Sequence, residues 1–140
     1  MPFREKSAWL MAITLGLASA GYAFVVVNMS NAMGQLVPPL LPLVVIFTVV
    51  LAALAAGSHI VIALLAPKDA VAAADERDRG ISARAGAWSG YVFAAGVALG
   101  LGHYLLARNG DVLFYCVFGS WVLAQLSEYA FEIALYRRGT

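Results

Sequence analysis

The chain carries four apolar segments of membrane-spanning length, and almost all of its positive charge lies on one side of them. The segments run over about 8–27, 38–66, 86–107 and 112–136. A helix needs roughly 20 apolar residues to cross the hydrocarbon of a bilayer. Arg4 and Lys6 precede the first segment. Lys68, Arg77, Arg79 and Arg84 lie between the second and third, and Arg137 and Arg138 follow the fourth. Of the nine basic residues, only Arg108 lies in a connection on the other side. Lys and Arg are enriched in cytoplasmic loops, so the pattern predicts both termini in the cytoplasm. Every backbone polar group must be satisfied internally in lipid, and segments this long achieve that as helices. The expected fold is all-α: an integral membrane four-helix bundle of two hairpins, forming a single transmembrane domain over residues 1–140.

Composition supports lipid as the solvent. The chain is 62% hydrophobic and 12% charged, against about 25% charged in a soluble domain. The net charge of +1 is spread over short segments, so no nucleic-acid patch is expected. Cys116 is the single cysteine. It forms no intramolecular disulfide or metal cluster and reads as a small buried hydrophobe. The run from Ala8 to Val27 exceeds the roughly 7–15 residues of a cleaved h-region, so it reads as a retained span.

Along the chain, Ser7 is the expected cap of the first span, and 28–37 the expected outer loop. Pro38, Pro39 and Pro42 open the second span, where proline is tolerated because the first N–H groups are unpaired anyway. Pro67 stops it. Residues 67–85 are the expected cytoplasmic loop, with a short interfacial helix at 70–74 and Ser82 as the cap of the third span. Arg108-Asn109-Gly110-Asp111 is a tight outer turn. Trp9, Trp88, Tyr104, Tyr115 and Tyr136 fall near span ends, as in an aromatic interface belt.

Within that loop, Asp75-Glu76-Arg77-Asp78-Arg79-Gly80-Ile81 leads directly into a span. This segment resembles the loop of a loosely defined group of small bacterial multi-pass membrane proteins of uncharacterised function. The resemblance covers about a dozen residues beyond span layout. It implies a bacterial inner-membrane protein and carries no mechanism. On their own, Asp75, Glu76, Asp78 and Arg79 read either as a self-paired connector or as a docking surface for a cytoplasmic partner.

The two hairpins also resemble one another. Ser7-Ala8-Trp9 matches Gly86-Ala87-Trp88, and Leu54-Ala55 with Ser58-His59 matches Leu123-Ala124 with Ser127-Glu128. A parallel internal repeat would make His59 and Glu128 symmetry-equivalent across the bundle.

Two stripes of small residues recur every four positions: Gly86, Gly90, Ala94, Ala98 and Gly102 in the third span, and Ala12, Gly16 and Ala20 in the first. Small residues let helices approach closely, and packing dominates association in lipid. The stripes are therefore expected at helix contacts, within the chain or in a homo-oligomer. A groove for a lipid tail or quinone is the lesser reading.

Glu128 and Glu132 lie one turn apart on the fourth span, sharing a face with Gln125 and Trp121. Glu128 is about 12 Å inside the cytoplasmic end and His59 about 10 Å, from a rise of 1.5 Å per residue. A charge at that depth costs roughly 2.5–3.5 kcal/mol on insertion scales, so Glu128 must be neutral, paired or wet. A pair with His59, supported by Ser58 and Ser127, would hold or pass a proton. His103 lies near the opposite end and shares no site with His59.

Two functions follow. One is a structural or accessory membrane component acting through helix packing, as a homo-oligomer or with a larger membrane partner. The other is an oligomeric proton or small-cation transporter, or a pH sensor, using His59, Glu128 and Glu132. There is no Gly-x-Ser-x-Gly elbow, phosphate loop or Cys-x-x-Cys. No catalytic residue, cofactor or metal is expected, and membrane lipid is an expected partner.

Overall fold

The computed structural model describes residues 3–65 and 75–138. They form four α-helices and no strand: α1 Phe3–Met33, α2 Leu41–Leu65, α3 Glu76–Ala107 and α4 Gly110–Arg138. Each is long and apolar enough to cross a membrane. The interfacial helix expected at 70–74 lies outside the described residues.

Three of the helices, α1, α3 and α4, outrun the expected spans, while α2 falls inside its expected 38–66. α1 has 31 residues, about 46 Å against roughly 30 Å of hydrocarbon. It begins before Ser7, which is therefore not its cap. It also continues through Asn28, whose side-chain amide donates to Phe24 O at 2.7 Å. Gly34 ends it with a φ of +67°, the left-handed conformation glycine adopts without a Cβ clash. Val37 then folds inward and is almost wholly buried. Its N–H donates to Ser30 Oγ at 3.1 Å, and its carbonyl accepts from Tyr115 Oη at 3.0 Å. α2 starts after Pro38 and Pro39, with Leu40 O accepting from Leu43 and Val44 N–H.

α3 begins ten residues earlier than the expected span, because Asp75 rather than Ser82 caps it. The Asp75 carboxylate accepts from Asp78 N–H at 2.7 Å, satisfying a donor with no partner inside the helix. The turn to α4 is as tight as expected. Arg108 adopts a φ of +55°, and Asn109 Oδ1 caps α4 by accepting from Val112 N–H.

The most extensive contact is between α3 and α4; α1 packs on α4, and α2 on α1. Two kinds of core hold them. Tyr22 of α1, Phe47 of α2 and Phe118 of α4 meet with ring centroids 5.0–5.4 Å apart, backed by Leu15, Val26 and Val122. The α3–α4 seam instead uses small residues. A Cβ on Gly96 would overlap Ser120 Oγ, and one on Gly100 would come within 2.8 Å of Cys116 Cβ. Leu64, Leu99 and Leu106 stay largely exposed, an exterior that apolar solvent makes favourable.

Candidate functional site

The polar side chains gather at one end of the bundle, where α1 and α3 begin and α4 ends. Capping by Asp75 puts Asp78 in the first turn of α3. Its Oδ2 pairs with Arg4 Nε of α1 at 3.0 Å, and its Oδ1 accepts from Tyr136 Oη of α4 at 2.8 Å. One carboxylate thus joins three helices. Beside it, Arg137 Nε pairs with Glu5 Oε1 at 3.4 Å. The Arg137 guanidinium also stands 5.4 Å over the Trp9 ring. Glu5 is buried, so this pairing compensates a carboxylate withdrawn from solvent.

Further in, the seam between α3 and α4 carries a short polar ladder. Ser82 Oγ donates to Glu132 Oε1 at 2.6 Å. One turn deeper, Glu128 Oε2 accepts from Gln125 Nε2 at 2.8 Å. Ser89 Oγ lies 3.4 Å from the same oxygen, but its single proton is nearer Gly86 O, at 3.0 Å. Gly86 faces the other carboxylate oxygen, which would stand 3.8 Å from a Cβ there, an ordinary contact. Gln125 is therefore the main donor to Glu128, from the same helix face.

The proton-handling residues named from sequence separate into two places. Glu128, Glu132 and Gln125 lie along the α3–α4 seam. His59 lies on the exposed face of α2, and among the described residues no hydrogen bond or ion pair reaches it. Ser58 Oγ is 3.5 Å from Thr14 Oγ1 of α1, and Ser127 Oγ donates to Ala124 O of its own helix. Among the described residues, no group of three His, Cys, Asp or Glu side chains is placed to hold a metal.

The small-residue stripe of α3 divides as well. Gly86 is half-buried, whereas Gly90, Ala94, Ala98 and Gly102 are exposed. The seam uses Ile81, Ala85, Ser89 and Gly100 instead, on average about half a turn around the helix. In α1, Ala12 and Gly16 are half-buried and Ala20 is exposed. At the bundle end, Asp75 and Asp78 are engaged within the chain, while Glu76 and Arg79 are exposed.

Sequence reasoning missed Arg4, Glu5, Ser82, Ser89, Tyr136 and Arg137 as members of this cluster. A usable signal existed for the seam. Positions 82, 86 and 89 on α3 step in mirror image to 132, 128 and 125 on α4, which is the register of an antiparallel pair. The end cluster had none, because Arg4 and Asp78 meet only through tertiary contact.

A concavity lies between α1 and α2. It is an apolar groove of about 410 Å³ whose lining includes Leu17, Gly21, Tyr22, Ile46 and Phe47. Tyr22 Oη is buried and, among the described residues, has no hydrogen-bond partner.

No protein family, curated protein or solved structure matched the chain when compared with it.

If Glu128 serves as the acceptor for Gln125, Glu128→Gln keeps an acceptor oxygen and is expected to cost under about 0.5 kcal/mol. Glu128→Leu strands the Gln125 amide and should cost about 1–2 kcal/mol. Thermal unfolding in detergent micelles measures both, and equal losses would overturn the acceptor role.

Proposed function

We propose that the chain is a structural or accessory protein of the bacterial inner membrane, with both termini cytoplasmic, that associates through the outer face of α3. The topology rests on the one-sided Lys and Arg residues. The association reading is carried by one observation. Gly90, Ala94, Ala98 and Gly102 are exposed, and nothing lies within 4 Å of where a Cβ on Gly90 or Gly102 would stand. The close approach that glycine allows at Gly96 and Gly100 is used by α4; at Gly90 and Gly102 no described residue uses it. A flat small-residue face of this kind suits a second helix packed at short range in lipid. The occupant proposed is the α3 helix of a second copy.

Against a proton relay stands the separation of His59 from Glu128. The carboxylate has a donor in Gln125 without it.

Gly90→Leu and Ala94→Leu should each reduce dimer at least about fivefold, without loss of monomer stability. In-membrane cross-linking and energy transfer between labelled copies measure this. A chain that stays monomeric at every density, or a dimer untouched by Gly90→Leu, would sink the reading.

A further inference from the structure

The bundle end that carries the polar cluster has a surplus of basic charge. The chain consumes Arg4 and Arg137 in pairs with its own Asp78 and Glu5. Among the described residues, no carboxylate lies within ion-pair distance of Arg77 or Arg84, and both are exposed. They are seven residues apart on α3, two helical turns, and so project from one face. No acidic residue of α3 shares that face. Glu76 and Asp78, one residue to either side of Arg77, point about 100° away from it in opposite directions.

Directly below the two arginines, on the same face, stand Trp88 and Tyr91. Their rings meet edge to face with centroids 6.0 Å apart, and Trp88 also lies 5.8 Å from Phe131 of α4. Trp88 and Tyr91 are both largely exposed. From the helix end inward, this face therefore presents two exposed guanidiniums, then an aromatic shelf against α4, then the apolar surface of a long apolar helix. An anionic phospholipid presents the same order: phosphate, then the ester and glycerol region, then acyl chain. Guanidinium binds phosphate oxygens through paired N–H donors. Trp and Tyr favour the interface between headgroup and acyl chain.

We propose that this face of α3, formed by Arg77, Arg84, Trp88 and Tyr91 with Phe131, is a binding site for an anionic phospholipid. The charge pattern is what selects lipid: two cations with no ion-pair partner among the described residues stand at the boundary of an apolar span, and no acidic residue of α3 shares their face. Basic residues next to a span attract anionic headgroups at the membrane surface. The site rests on the membrane reading above, but not on the dimer. Gly90 and Ala94 lie on a neighbouring strip of the helix, about 100–140° around from Arg77, and are free to contact a second copy, while the stripe's drift brings Ala98 and Gly102 onto the lipid-facing side deeper in the span.

The test reconstitutes the full chain into nanodiscs of phosphatidylcholine with graded phosphatidylglycerol. Lipid retained after gentle detergent extraction is then measured by native mass spectrometry. The native chain should retain phosphatidylglycerol about tenfold above its bulk share. Arg77→Gln with Arg84→Gln should lose that enrichment. Lys6→Gln with Arg79→Gln removes two exposed charges from the same bundle end but from other faces, and should keep it. No enrichment in the native chain overturns the site, as does equal loss in both double variants, which would reflect general charge. A chain that does not enter phosphatidylcholine discs at all would overturn the membrane reading instead. Loss of enrichment in Gly90→Leu would tie the lipid to the dimer and overturn the separation of the two faces.

Discussion

Gly96→Leu is expected to lower stability by about 3 kcal/mol or more, the largest single effect anywhere in the bundle. A Cβ at this position would stand 2.6 Å from Ser120 Cβ and 3.5 Å from Ser120 Cα, besides overlapping Ser120 Oγ. None of these atoms can give way cheaply. Ser120 is held by its bond to Cys116 O at 2.5 Å, and its Cα belongs to α4 itself. The helices must separate, and the seam they share is the largest contact in the chain. A Cβ on Gly90, about a third of a turn around α3 from Gly96, would meet nothing within 4 Å among the described residues, and Gly90→Leu should leave the monomer within about 0.5 kcal/mol, as surface substitutions do. Thermal unfolding of both variants in micelles decides the matter. Similar losses would show that the two glycines are not differently placed. Gly96→Ala combined with Ser120→Gly should recover most of the loss of Gly96→Ala alone, because the nearest colliding atoms belong to the Ser120 side chain.

Asp78→Ala is expected to cost about 2 kcal/mol, more than any other substitution in the polar cluster. It removes the partner of Arg4 at 3.0 Å and the acceptor of Tyr136 Oη at 2.8 Å. Hydrogen bonds to charged groups contribute about 1.5–3 kcal/mol each, but Arg4 is partly exposed, which screens its share. The loss falls on the junction of α1, α3 and α4 rather than on any one helix. The Asp75 cap binds the backbone N–H of residue 78 and survives the change. Tyr136→Phe and Arg4→Ala should each cost less, because each leaves the carboxylate one partner. A double-mutant cycle between Asp78 and Tyr136 should return a coupling near 1 kcal/mol. A coupling of zero would reduce the contact to proximity.

Legibility differed sharply between the spans and the site. The four helices and the tight turn at Arg108–Asn109 followed from apolar run length, proline positions and local turn chemistry, all of which act over a few residues. Helix ends were less readable. The ten residues from Glu76 to Ala85 are charged enough to read as a loop, yet they form helix, because Asp75 caps it and Asp78 ties its first turn to α1 and α4. The stripe at Gly86, Gly90, Ala94, Ala98 and Gly102 was visible. A four-residue spacing nevertheless drifts about 40° per step around a helix, so spacing could not say which glycines would meet α4. Gly96 and Gly100 meet it, and the drift leaves Gly90 and Gly102 outside.

Sequence alone determined the number of helices long and apolar enough to cross a membrane and the one-sided placement of charge along them, because both depend only on composition and order along the chain. Tertiary structure decided which side chains meet. Glu128 and His59 have similar depths along their helices, but depth says nothing of rotation about the helix axis or of which helix stands beside which. α2 packs on α1, with His59 on its exposed face, while α4 turns Glu128 into the seam with α3 beside Gln125. Pairing in a bundle requires three coordinates, and the chain's linear pattern carries only the one along the membrane normal.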